Sequence, residues 1–404
     1  MKQIRTTYPE LYPAFVWTSF SFAVFGGFLL AAYLALSMGS GWWSGQMLFE
    51  LIQLHGHLQL FGWIGLLLVG VSLYTLPRLV SLKSTWRNAH IWIFILLVSG
   101  IFLRVLSLLI GFMLPIAGIK VSSLIALGML LESLGIVLYV LVCLKWIFAA
   151  RGGNNDLRKV GPYFFAMYLG WCVLGLGYLA MGISLIGSES MLLNPEWNNL
   201  LNETFVRLVL LPAILGFGVK MLPVFLGLRA PQWPVRKVGI LLLLGSFFYL
   251  ISKVVLILYP ATRQMEYLSA LGLISISIAV LSFIWFLDAL LFRILPERIA
   301  LKKHRSDLLL QRGRFGDKGE FGRFEFFIIA GFAWISFVAL MEATNGLRLI
   351  LGMPELISSI TLRHASLLGG LTHLVLGVST AYFQTLWVAD CSASAYLGFF
   401  CTCL

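Results

Sequence analysis

Charge is the scarcest thing in this sequence. Asp, Glu, Lys and Arg make up 11% of its 404 residues, and carboxylates are rarer still, 17 against 29 basic side chains. Soluble globular chains carry about a quarter of their residues as charges, so those classes are excluded. Cysteine is equally sparse, and none of Cys143, Cys172, Cys391, Cys401 and Cys403 stands in a CxxC pair. Thiol redox motifs and zinc ribbons are therefore excluded, and Cys143 and Cys172 read as packing residues. No small-residue cleavage site follows the first apolar run, which reads as a retained signal anchor. The net charge of +12 would point to nucleic acid in a soluble chain. Here Lys and Arg gather in short loops, the mark of membrane orientation, and no nucleic-acid partner is expected.

What is there instead is a succession of apolar runs, with 60% hydrophobic residues and a mean hydropathy of +0.93. Ten runs reach the roughly 20 residues that cross a bilayer. They lie near 11–38, 48–77, 88–113, 119–149, 160–187, 203–228, 237–259, 266–294, 324–350 and 356–385, with 386–404 a weak eleventh. Loops after the even-numbered runs carry Arg78, Lys83 and Arg87, then Arg151, Arg158 and Lys159, then Arg229, Arg236 and Lys237. The 295–323 segment adds Arg298, Lys302, Lys303, Arg305, Arg312 and Arg314, while the opposite loops are short or acidic, as at Glu189 and Glu196. The positive-inside rule then puts the N-terminus and the basic loops in the cytoplasm. His90 and His304 read as solvated on that side. The 295–323 loop reads as solvated too, or as a site for a partner or anionic lipid.

The second, sixth and tenth runs share a pattern. Counting from His57, Gly62 is at +5, Gly70 at +13 and Pro77 at +20; counting from His364, Gly369 is at +5 and Gly377 at +13; counting from Glu203, Gly216 is at +13 and Pro223 at +20. Glycines at fixed offsets admit a neighbouring backbone or a flat ligand. The expected fold is an all-α integral membrane bundle of three pseudo-repeated four-helix arcs, about 11–150, 160–294 and an incomplete 324–404. The last arc departs from the pattern. Gln384 replaces the proline, and the Ser-, Ala- and Cys-rich end from Trp387, with Asp390, is too short for two helices. A truncated or altered terminus is expected, its open flank covered by a partner subunit or lipid, with Cys401 and Cys403 incidental.

Polar residues interrupt the outer halves of these runs: His55 and His57, Arg104, Glu203 and Arg207, Lys253, Glu342 and Arg348, Arg363 and His364. An imidazole or charge in hydrocarbon costs several kcal/mol without a partner, so each is a candidate for function. Glu203 and Arg207 have the i,i+4 spacing of an ion pair. The cations outnumber the carboxylates, and an anionic ligand such as heme, with two propionates, would balance them. Histidine would supply the axial bond, glycines the room, and Arg104, Arg348 and Arg363 the propionate contacts. The alternative is buried histidines bonded to Glu or backbone, with snorkelling arginines. His373 is a weaker ligand candidate, and Glu132, mid-run, is either a proton-relay carboxylate or a hydrogen-bonded structural one.

His55-Gly56-His57, Gly62-Trp63, Gly65, Gly70, Tyr74 and Leu76-Pro77 resemble the HxH-bearing helix of the heme–copper oxidase subunit I superfamily. The likeness is nearest to its b-heme branch and to the related NnrS-type proteins. It implies twelve spans in three arcs, hemes in the outer half, and His55, His57 and His364 as axial ligands to one or two hemes b. It also implies a bacterial inner-membrane location and a role in nitric oxide response or electron transfer, with other membrane subunits or a cytochrome c-type carrier as partners. The superfamily's copper takes three histidines from the sixth and seventh spans, which here hold none, and Leu58 follows His57 where NnrS-type chains place an acid. Copper is doubtful and a proton-pumping oxidase is not expected. Two rivals remain: a true nitric oxide or oxygen reductase whose metal uses Glu203 and His373, and a heme-free transporter or assembly subunit.

Overall fold

The computed structural model describes residues 11–41, 45–79, 87–113, 121–149, 155–188, 191–226, 233–260, 262–290 and 324–378. Among them there is no strand, and nine helices are long and apolar enough to cross a membrane. These are α1 (Tyr12–Ser40), α2 (Gln46–Pro77), α3 (Asn88–Gly111), α4 (Val121–Phe148), α5 (Arg158–Leu185), α6 (Pro195–Pro223), α7 (Val235–Leu258), α8 (Arg263–Leu287) and α9 (Phe324–Ile350). A tenth helix, α10, begins at Ser359–His364 and runs to residue 378. The chain is an all-α, multi-pass membrane protein. The 386–404 tail and the 295–323 loop, with His304, Cys391, Cys401 and Cys403, lie outside the described residues.

Among the described residues, four helices change winding midway. Wide i→i+5 turns occupy Phe22–Leu29 in α1, Leu58–Gly65 in α2, Phe205–Leu210 in α6 and Ala365–Leu371 in α10. In the last three the wide turn opens one or two residues after His57, Glu203 and His364. Such turns are rare, and they cluster where a helix must re-aim side chains.

Two compact units divide at Ala213/Ile214, inside α6. In the first unit, α1 lies on α2, and α3, α4 and α5 pack in sequence, with α5 on the first part of α6. The α3–α4 crossing is close because a Cβ at Gly100 would come within 2.6 Å of Gly128 O, and one at Gly128 within 2.7 Å of Gly100 O. In the second unit α7, α8, α9 and α10 pack in order, and Gly245 and Gly272 make the same reciprocal contact between α7 and α8. Small residues at such crossings replace the hydrophobic effect that lipid does not supply.

The glycines at +5 and +13 serve the same purpose with side chains as partners. Phe22 and Phe15 of α1 press onto Gly62 and Gly70, while Trp334 and Ile328 of α9 press onto Gly369 and Gly377. The structure also corrects the reading of His90 as a solvated loop residue. His90 is half-buried in the first turn of α3, with its ring edge-on to Trp146 at 5.8 Å. Cys143 is buried, whereas Cys172 is exposed on the flank of α5.

Candidate functional site

His57 is the last α-helical residue of α2 before the wide turn, on the same stripe as Glu50, two turns earlier. That stripe faces inward: Glu50 and His57 are 4% and 3% exposed. Glu132 lies as far past Val121 as His57 lies past Gln46, so helices entering from one side bring the two to one depth. Their side chains meet, His57 Nε2 to Glu132 Oε1, at 3.1 Å. Arg104 and Tyr178 stand equally far before the ends of α3 and α5, and both are buried at this level.

The imidazole is fully engaged. A carboxylate can only accept, so Nε2 carries the proton toward Glu132, and Tyr178 OH approaches the remaining Nδ1 at 3.4 Å. Phe61, one turn on, stacks on the ring at 5.1 Å and 9°, and Tyr178 stands edge-on at 5.6 Å. Phe61 in turn meets Tyr178 at 4.6 Å and Phe205 at 5.2 Å. Arg104 acts electrostatically on Glu132, Tyr178 and His57. Two polar atoms of the cluster, Glu132 Oε2 and Arg104 Nη1, are buried without a hydrogen bond among the described residues.

The other histidines are built differently. His55 turns toward α1, its Nδ1 3.3 Å from Gly26 O in the wide turn there. His364, exposed, places Nδ1 2.8 Å from Ile360 O, and His373 places Nδ1 2.6 Å from Gly369 O. A carbonyl cannot donate, so in each of these rings Nδ1 carries a proton and Nε2 points away from that bond.

The expected cations separate likewise. Arg104 belongs to the His57 cluster, so the expectation that it meets a propionate gives way to a buried position beside Glu132. Arg207 Nε donates to Glu203 Oε2 at 2.9 Å, both side chains buried, so the i,i+4 pair forms as the spacing suggested. Arg348 Nε donates to Pro354 O at 2.8 Å, with its Nη groups unbonded among the described residues. Arg363 is half-buried, one residue from His364. Lys253 lies over the Tyr249 ring at 5.4 Å.

Heme can be tested against this geometry by donor chemistry and by space. His55, His364 and His373 fit an axial ligand, because a ligating imidazole usually anchors its other nitrogen on a carbonyl or carboxylate. His57 does not fit, having both nitrogens committed and both faces covered. Nor do the glycine bays fit a macrocycle, since Phe22 and Trp334 fill them. Among the described residues no three His, Cys, Asp or Glu side chains converge as a metal site. Tyr178 and Glu50 were not among the sequence candidates; for Glu50 the two-turn spacing to His57 was the available signal. Compared with known protein families, curated proteins and solved structures, the chain gives no match.

Proposed function

We propose that this chain is a heme b-binding protein of the bacterial inner membrane, similar to NnrS-type proteins or to a degenerate oxidase subunit I, in nitric oxide response or membrane electron transfer. One observation carries the reading. His55, His364 and His373 each anchor Nδ1 on a main-chain carbonyl, the support that a ligating imidazole usually has at its other nitrogen. His55 and His364 are the axial donors of choice and His373 a further one, with Arg363 and Arg348 the cations for propionates. One or two hemes, held by His55 in the first unit or by His364 or His373 in the second, would supply a one-electron iron centre. The wide turns opening just after His57, Glu203 and His364 support the three-arc arrangement, and the basic loops support a cytoplasmic N-terminus.

The test is the optical spectrum of the purified, dithionite-reduced protein, followed by heme quantification in single Ala variants. Sharp b-type bands are expected, with heme lost from His364→Ala and His55→Ala and kept in His57→Ala. Absence of heme from protein made in heme-replete cells, or full retention in the His55, His364 and His373 variants, overturns the reading. The filled glycine bays favour a second one, a heme-free transporter or assembly subunit, for which the spectrum would be blank.

A further inference from the structure

We propose that one internal water binds in the first unit between Glu132 Oε2 and Arg104 Nη1, making the cluster around His57 a water-bridged clamp across α2, α3, α4 and α5. Glu132 is 0% and Arg104 4% exposed, and each of the two atoms is buried without a hydrogen bond among the described residues. The two side chains act on each other electrostatically, yet no ion pair joins them among those residues. A charged donor and a charged acceptor left unmade at such depth forfeit their full desolvation penalty.

The packing explains why they do not meet directly. A Cβ at Gly100 would come within 2.6 Å of both Gly128 O and Glu132 Cγ, so α3 and α4 are already at closest approach. The helices cannot move together to close the space between the two side chains. Nor can the carboxyl group turn toward Arg104 without loss, because its Oε1 accepts from His57 Nε2 at 3.1 Å. The imidazole is itself fixed, with Phe61 stacked on it at 5.1 Å and Tyr178 edge-on at 5.6 Å. Glu132 Oε2 is thus an acceptor held in place, and Arg104 Nη1 a donor that packing keeps apart from it.

The chemistry of these two atoms selects the occupant. A cation would be repelled by the guanidinium of Arg104, and an anion by the carboxylate of Glu132. A neutral molecule that both donates and accepts satisfies the pair, giving a hydrogen to Oε2 and a lone pair to Nη1. His57, Arg104, Glu132 and Tyr178 are each under 5% exposed, so the cluster is sealed from lipid, and water is the smallest molecule of that class. Internal waters occupy polar sites of this kind, where they make about three hydrogen bonds, whereas apolar voids stay dry. Tyr178, which acts electrostatically on both Glu132 and Arg104, is the third neighbour. His55, His364, His373, Arg348 and Arg363, the residues offered to heme, take no part.

Hydroxyl-radical footprinting of the full-length protein in lipid nanodiscs tests this, because X-ray radiolysis of a bound water modifies the side chain beside it. Tyr178 should be hydroxylated although it is 1% exposed, while Tyr139, 0% exposed with its phenol bonded to Ser72 Oγ, should not. The modification should be lost in the double variant Arg104→Met, Glu132→Met, which removes both partners of the water. If that variant does not fold, wild type alone decides. After rapid mixing into oxygen-18 water, Tyr178 should gain the heavy label later than Tyr259, which is 68% exposed. Modification of Tyr178 no greater than that of Tyr139, or without a lag behind Tyr259, overturns the proposal, and so does its persistence in a folded double variant. Footprinting reads no heme band, so this inference and the heme reading fail separately.

Discussion

The imidazole of His57 and the carboxylate of Glu132 meet at 3.1 Å although 75 residues separate them, because each lies the same distance past the start of its helix. The reciprocal glycines just above complete the arrangement. Gly100 lets α4 approach closely enough for Glu132 Cγ to pass over it, one turn from Arg104. If Gly100 and Gly128 are aligned with Gly245 and Gly272, the places of Arg104 and Glu132 fall to Tyr249 and Ile276. The ionisable cluster thus belongs to the first unit alone, while the glycine crossing that frames it occurs in both.

Breaking that pair should be expensive. Glu132→Ala leaves Arg104 as a buried, uncompensated charge, and loss of one partner from such a group typically costs about 3–5 kcal/mol. Glu132→Gln removes the same charge but retains an acceptor for His57, and should cost about 1–3 kcal/mol less. Reversible unfolding in mixed micelles measures both; equal losses would show that the hydrogen bond to His57 adds nothing beyond the charge.

Glycine substitutions should divide by position. A Cβ at Gly100 meets Gly128 O and Glu132, so Gly100→Ala forces the helices apart, at about 1–3 kcal/mol. Gly56, between the two histidines, has nothing within 4 Å of a Cβ, and Gly56→Ala should gain up to about 1 kcal/mol of helix propensity. The same unfolding assay separates them, and a destabilised Gly56→Ala would mean that another molecule occupies that open side.

The legible parts of this chain are those that neighbouring residues decide. Long apolar runs gave the spans, and the i,i+4 spacing gave the Glu203–Arg207 pair. Glu132 stood out as a mid-span carboxylate, but its partner could not be read, because helix order in space is set by distant packing at Gly100 and Gly128. The glycines at +5 and +13 showed where close approach occurs without showing that Phe22 and Trp334 fill the space. The change to wide turns after His57 and His364 leaves no composition signal, since Leu, Gly and Phe suit either winding. His90 was misread because a polar residue beside a basic loop resembles a loop residue until Trp146 is known to lie against it.

The approach to His364 should depend on Asn345. Its side chain accepts from Leu356 N at 2.8 Å and donates to Ile357 O at 2.7 Å, tying the 351–358 segment to α9 just before Ser358 caps α10. Asn345→Leu leaves a main-chain donor and acceptor unpaired, a loss of about 1–3 kcal/mol each if they stay buried. Faster amide hydrogen exchange across 354–362 is expected, with exchange in α3 and α4 unchanged. Unaltered exchange in that segment would show that Arg348, through Pro354 O, suffices to hold it.

Topology offers the last prediction. Lys and Arg crowd the loops after even-numbered spans, while the segment before α6 is capped by Asn194 and carries Glu196, which is exposed. Basic loops stay on the cytoplasmic side because cationic side chains resist translocation, whereas Glu and Asp have little effect. Glu196 precedes an even span and Lys302 follows one, so the two should lie on opposite faces of the membrane. Single cysteines at these positions, introduced after the five native cysteines are replaced, report this with a membrane-impermeant maleimide. In sealed, right-side-out membrane vesicles, Glu196→Cys should label and Lys302→Cys should not; both should label once the vesicles are opened. If both label from the same side, an odd number of crossings does not separate them. The cytoplasmic assignment of the basic loops would then be lost.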